Sequence, residues 1–303
     1  MRGFLGLTRR NVMIYFKDKS AVVFSLLTSI IVFVLYLIFI KGSYVDAING
    51  KLDGLESLVA SSDVDALVGL ILLVGILGSA TITVPYCCLK TLIRDKENKI
   101  DYDISATPIK RWQIVVSYYT AAVLSAAIVT GVIYAIGVGS IIGMYSVETS
   151  VTDIVAGYGI ILLGNLSSSA IFLILSMLFK SSATCDAFYG ILSATSGFII
   201  GAYMPLSTFS DAIQTICNLF PATHITILLR RRMMQATLDK INTGIGGIDN
   251  GAFVQGFRNT FSFESTLFGH NMSETAMLLY VLGIFAVSIL AMILTYSKTY
   301  KRK

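Results

Sequence analysis

The chain has 303 residues, a formal net charge of +5, 55% hydrophobic residues and only 14% charged ones, with a mean hydropathy of +0.76. Soluble domains carry roughly 25% charged residues, so an ordinary soluble globular protein is excluded. With 4 Pro and 25 Gly, no long disordered segment is indicated.

Residues 3–19, GFLGLTRRNVMIYFKDK, place Phe4, Leu5, Val12, Tyr15 and Phe16 near helical spacing among Arg9, Arg10 and Lys17. This predicts an amphipathic helix over 1–20 lying in a membrane interface. A cationic anchor that only orients the following segment accounts for the same residues. Then come six long apolar runs, at 21–40, 67–92, 113–145, 153–179, 184–204 and 276–297. Each has about 20 or more mostly uncharged residues, the length a helix needs to cross ~30 Å of hydrocarbon. The expected fold is therefore an all-α membrane protein with six transmembrane helices in a single domain, 1–303. The first run is too long for a signal-peptide core, and no small-residue cleavage site follows it.

Basic residues set the orientation. They gather at the N-terminus (Arg2, Arg9, Arg10, Lys17, Lys19), after span two (Lys90, Arg94, Lys96, Lys99, Lys110, Arg111), at Lys180 and in the tail (Lys298, Lys301, Arg302, Lys303). Six spans put all of these on one side, expected to be the cytoplasm. Both termini then face the cytoplasm of a plasma membrane. The opposite loop, 41–66, carries Asp46, Asp53, Glu56, Asp63 and Asp65 against two Lys.

Span two contains Pro85, with Thr81 and Thr83 available to bond the carbonyl that proline frees. The result is a kink or a moving gate. The loop 93–112, IRDKENKIDYDISATPIKRW, sets Ile100, Ile104 and Ile109 among dense charge. Such apolar positions predict a short helix packed on the membrane face or on a partner protein. Spans four and five carry Asn165, Ser167, Ser168, Ser169, Ser193, Thr195, Ser196 and Gly197, which serve close helix packing or line a polar path. Residues 205–275 are expected outside. Two short helices divided at Pro221 are predicted over 205–233, then a polar, Gly-rich loop over 235–275. Arg230, Arg231 and Arg232 run against the charge pattern there; a re-entrant element accounts for them.

Chemistry is sparse. No GxxxxGK[ST] phosphate loop occurs, His224 and His270 are the only histidines, and no metal-ligand spacing is present. His224 reads as a packing residue. Asp153 and Asp186 lie at span ends and no carboxylate falls mid-span, which disfavours ion-gradient coupling. Energy for any transport should come from another polypeptide. Cys87, Cys88 and Cys185 fall in or beside spans and Cys217 outside, so no structural disulfide is expected. An intramembrane enzyme is disfavoured for want of clustered His, Asp or Glu.

The ordered set of these features resembles the membrane subunit of type-2 ABC exporters, the ABC-2 permeases. The resemblance rests on RRNVMIYFKDK leading into span one, and on Glu97 and Ala106-Thr107-Pro108 followed by Lys110 and Arg111. It rests also on the span order with its longest external loop before span six, and on Pro205, residues 212–220, Pro221 and Arg230 as paired re-entrant helices. Lys99 stands where the family often has Gly, and Phe209 only approximates an aromatic of the first external helix. The resemblance implies a half-channel that pairs with a second permease chain, as homo- or heterodimer. ABC ATPase subunits would bind ATP and Mg, with no cofactor in this chain and no nucleic acid involved. It implies ATPase contacts at Glu97, Asp101 and Pro108, with Arg10 on the N-terminal helix adding another. It places spans two and five at the dimer interface, with Thr81, Thr83, Ser193, Thr195 and Ser196 as pathway candidates. The expected cargo is amphipathic or hydrophobic, such as a drug or antimicrobial peptide. The alternative is a non-transporting scaffold or immunity protein that binds a toxin or partner.

Overall fold

The computed structural model describes residues 2–35, 38, 41–52, 54–145, 147 and 149–299, and 83% of the chain is helical. The helices are α1 (Arg2–Lys17), α2 (Lys19–Leu35), α3 (Lys41–Leu52), α4 (Ser61–Cys88), α5 (Lys90–Glu97), α6 (Ile100–Ala106) and α7 (Arg111–Tyr145). They continue with α8 (Val151–Leu178), α9 (Ser182–Ile199), α10 (Asp211–Asn218), α11 (Pro221–Ile245), α12 (Ala252–Thr260) and α13 (Glu274–Thr299). A two-stranded hairpin, β1 (Ser265–Leu267) and β2 (His270–Met272), pairs antiparallel with Thr266 opposite Asn271.

Four helical segments are long and apolar enough to cross a membrane: α4 running on into α5, α7, α8 and α13. The pair α10 and α11, bent by 92°, makes a fifth if it counts as one broken span. The six expected runs are therefore not all of one kind. The described part of α2 has 17 residues. The 18 residues of α9 are diluted by Asp186, Ser193, Thr195 and Ser196.

α4 is the central post. Residues 66–68 and 73–89 are buried throughout, because α2, α7, α8, α9 and α11 surround it. Small residues allow the approach: a Cβ on Gly75 would sit 3.0 Å from that of Ala202, and one on Gly164 of α8 3.1 Å from Ile225. α4 runs through Pro85 to Cys88. The hydroxyls of Thr81 and Thr83 donate to Gly78 O (2.7 Å) and Ser79 O (3.1 Å). They reach back along their own helix instead of to the Thr81 carbonyl that Pro85 leaves free, which corrects the expectation for those side chains.

The segment 205–275 is more ordered than its composition suggests. α11 does not stop near 233 but reaches Ile245, because Thr237, Leu238, Ile241 and Ile245 continue its buried stripe. α12 and the hairpin follow where a loop was expected. Phe253, Phe257, Phe261 and Phe263 build an aromatic core with Tyr44 of α3. The arginine cluster resolves in the same way. Arg230 is 2% exposed and donates to Phe261 O, Ser262 O, Ile200 O and Gly201 O at 3.0, 3.3, 3.3 and 2.6 Å. Arg231 donates to Phe263 O and Arg232 pairs with Asp153. Arg230 and Arg231 tie α11 to the ends of α9 and α12, and Arg232 ties it to α8. His224 is buried against the Tyr280 ring, centroids 4.8 Å apart. The four cysteines are free and buried, Cys217 included.

Candidate functional site

At the end of the bundle away from α12 and the hairpin, α5 and α6 form a short helical elbow. The reversal between them turns on Lys99, whose φ of 60° lies in the left-handed region. A non-Gly residue there is uncommon, which explains why a glycine suits this position. α6 is anchored by Ile104, the one buried residue in its seven. Tyr102 is 70% exposed, and Glu97, Asp103 and Pro108 are exposed around it. Asp101 is half-buried, and that burial holds its carboxyl above the usual range.

α1 is docked to this elbow. Arg10 donates bidentately to Asp95, Nη1 to Oδ2 at 2.7 Å and Nη2 to Oδ1 at 2.8 Å. Asp95 also accepts from the Tyr118 hydroxyl of α7 at 2.5 Å. The Asp95 side chain is only 4% exposed. This hydrogen-bonded carboxylate lifts the Arg10 guanidinium further above its ordinary value. Asp18, at the α1–α2 junction, pairs with Arg94.

α5 also grips the α8–α9 turn from below. Lys96 Nζ donates to Met177 O (2.7 Å) and Phe179 O (3.3 Å), covering the C-terminal carbonyls of α8. Glu97 accepts from the Ser182 backbone N–H (3.1 Å) and from the Ser182 hydroxyl, at the N-terminus of α9. Lys90 pairs with Asp186 of α9 and lies 5.2 Å from the Tyr189 ring centroid. Cation at one helix C-terminus and anion at the other N-terminus both complement the helix dipoles. α5 and the first turns of α9 are thus one mechanical unit.

Above that unit an open groove of about 870 Å³ runs between α2 and α9. Its walls are Phe24, Leu27 and Ile31 on one side, and Tyr189, Gly190 and Ser193 on the other. Lys90, Arg94 and Asp186 close its elbow end. Among the pathway candidates, Ser193 lies in this groove. Thr195 faces outward with its hydroxyl on Ile191 O at 2.9 Å. Ser196, Thr81 and Thr83 are fully buried. α2 shares this open groove with α9, whereas the open face of α4, at Asp65, Gly69 and Leu72, lies in a separate cavity of about 550 Å³ between α2 and α7.

Asp95, Lys96, Tyr118 and Ser182 were missed by sequence reading. Asp95 had a signal, as the carboxylate of the loop nearest the apolar Leu92 and Ile93. Ser182 had none.

The packed apolar helices, four or five of them able to cross a membrane, define a membrane protein with a charged helical elbow at one end. The sequence pattern described as "ABC-2 family transporter protein" matches residues 51–296, from within α3 to near the end of α13. The chain belongs to that family. It is a membrane transport component, of a kind whose ATP hydrolysis lies in a separate ABC ATPase subunit. No curated relative matches the chain.

Proposed function

We propose that this chain is the permease of an ATP-driven exporter of amphipathic or hydrophobic cargo. It acts as a plasma-membrane dimer with six spans per chain, α2 and α9 included, and both termini in the cytoplasm. The observation that carries the reading is the double clamp of Lys96 and Glu97 on the α8–α9 turn. An ATPase cleft that takes up the α5–α6 elbow pushes α5, and α5 is tied to α9 by three polar contacts. Closure on ATP therefore moves α9 against α2 and changes the groove between them. Tyr102, Asp103 and Pro108 are the ATPase-facing residues, Asp101 lying at the edge. Glu97 and Arg10 act within the chain as positioning residues.

The groove supplies the path wall. It is mostly apolar, with charge confined to its cytoplasmic end, a surface suited to amphipathic molecules. Gly190 and Ala194 lie four apart on α9, and both are on this face. That small-xxx-small spacing lets a second helix approach closely, which supports pairing of two chains here.

The test is affinity purification of the tagged chain from its native membrane in mild detergent. A stoichiometric ABC ATPase should copurify, and should be lost with Tyr102→Ala plus Asp103→Arg while permease yield stays unchanged. Retention of the ATPase in that variant would remove the elbow from the docking role.

A further inference from the structure

α1 has two faces with different chemistry. Leu7, Thr8, Asn11 and Tyr15 are buried against the bundle, and Arg10 turns in toward Asp95. The opposite stripe reads Arg2, Leu5, Arg9, Met13 and Phe16, in steps of three and four, with Lys17 beside Phe16. Leu5 is 62% exposed, Met13 44% and Phe16 37%. α1 contains no acidic residue, and among the described residues Arg2, Arg9 and Lys17 form no ion pair. Large apolar groups and unpaired cations on one stripe suit neither bulk water nor hydrocarbon. They suit a headgroup layer, with the apolar groups sunk at the acyl boundary and the cations at phosphate level.

The neighbouring turn extends the patch. Ile109 lies under Gly3, where an added Cβ would sit 3.0 Å from Ile109 Cγ1. Lys110 and Arg111 follow it, also without ion pairs among the described residues, and Trp112 is half-exposed. With cations from two elements and no carboxylate on the stripe, the charge favours anionic headgroups over zwitterionic ones, whose ammonium groups would meet no partner.

We propose that the outward face of α1, with the start of α7, is a binding surface for anionic phospholipid headgroups. Assignment to the cytoplasmic leaflet rests on the topology proposed above; the lipid chemistry does not. Because Arg10 ties α1 to α5, lipid held on this face also steadies the elbow.

Trp112 is the chain's single tryptophan, so intrinsic fluorescence reports on this patch. The full chain is reconstituted in phosphatidylcholine vesicles containing rising fractions of acyl-brominated phosphatidylglycerol or acyl-brominated phosphatidylcholine. The expected result is half-quenching at a lower mole fraction of the anionic lipid. Arg9→Gln should raise that mole fraction, by up to about fivefold for one surface cation, while Arg9→Lys leaves it in place. Salt at about 1 M, where the Debye length is about 3 Å, should abolish the preference. Equal half-points for the two lipids, or an Arg9→Gln curve matching the wild type, would overturn the proposal. The vesicles contain no ATPase, so failure of the exporter reading would leave this result unaffected.

Discussion

Arg10→Gln tests whether α1 is locked to the elbow. Two charge-assisted bonds of 2.7 and 2.8 Å join Arg10 to Asp95, and such bidentate pairs are the strong ones. The Asp95 side chain is 4% exposed and that of Arg10 31%. Removing the guanidinium leaves a buried carboxylate whose remaining described side-chain donor is the Tyr118 hydroxyl. Breaking a buried pair by deleting one partner costs about 3–5 kcal/mol. The partial exposure of Arg10 and the surviving Tyr118 bond put this case at the lower end, about 3 kcal/mol. That is roughly a hundredfold in the equilibrium between docked and undocked α1, at 1.4 kcal/mol per factor of ten. Amide hydrogen exchange reads such local opening. The protection of residues 5–17 should fall by about two orders of magnitude, while that of residues 118–130 in α7 stays unchanged. Adding Asp95→Asn should restore most of it, because the stranded charge is gone. Unchanged α1 protection in Arg10→Gln, or an equal loss throughout the bundle, would refute the lock.

Three further outcomes follow from the geometry. Glu97→Ala removes the acceptor for the Ser182 N–H and hydroxyl, a cap worth about 1 kcal/mol. The ATPase should copurify at wild-type yield while ATP-driven transport in vesicles falls; loss of both together would return Glu97 to the ATPase interface. Asp101 has its carboxyl pKa raised by burial, so the folded chain holds this proton more tightly than the unfolded one. Its favourable contribution is present below the ordinary carboxylate range and is lost as pH rises through the folded value. The melting temperature of Asp101→Asn relative to wild type should therefore be higher at pH 7 than at pH 4, and an identical difference at both would contradict the assignment. Arg230→Gln strands carbonyl acceptors from α9 and α12. At about 1.5–3 kcal/mol for a bond to a charged group, it should lower stability in detergent by about 3 kcal/mol or more; an unchanged melting temperature would show the ties to be dispensable.

What the sequence reveals and what it hides follow from the range of the forces. Long apolar runs identify α4, α7, α8 and α13 without reference to anything distant. Hydropathy does not tell a lipid-facing helix from a protein-facing one, and so the central position of α4 within the chain was not visible in its apolar run. α11 was cut short because Gly244, Gly246 and Gly247 look like turn signals. Its stripe of Leu238, Ile241 and Ile245 is buried only because the core built by α3, α12 and the residues after it exists to receive it. Within the elbow, the charged loop and Pro108 stand out locally, and so does the unusual Lys99, whose positive φ accounts for it. The partners were hidden: Arg10 meets Asp95 across 85 residues, and Glu97 meets Ser182 across 85. No local rule connects residues so far apart, so the intrachain partners of Glu97 and Arg10 were not visible in the sequence.

The central claim is that the elbow drives α9 through Glu97 and Lys90, with Lys96 holding the α8 end of the same turn. The most direct measurement places spin labels at Ile191 on α9 and Leu124 on α7, both exposed, and reads their distance in the complex with its ATPase by pulsed electron resonance. The account predicts that ATP with Mg shifts the distance distribution in the wild type, and that Glu97→Ala, Lys96→Ala and Lys90→Ala together, which remove the α5 contacts to α9 and to the end of α8, remove the shift while the ATPase stays bound. A shift that persists undiminished in that variant would contradict it.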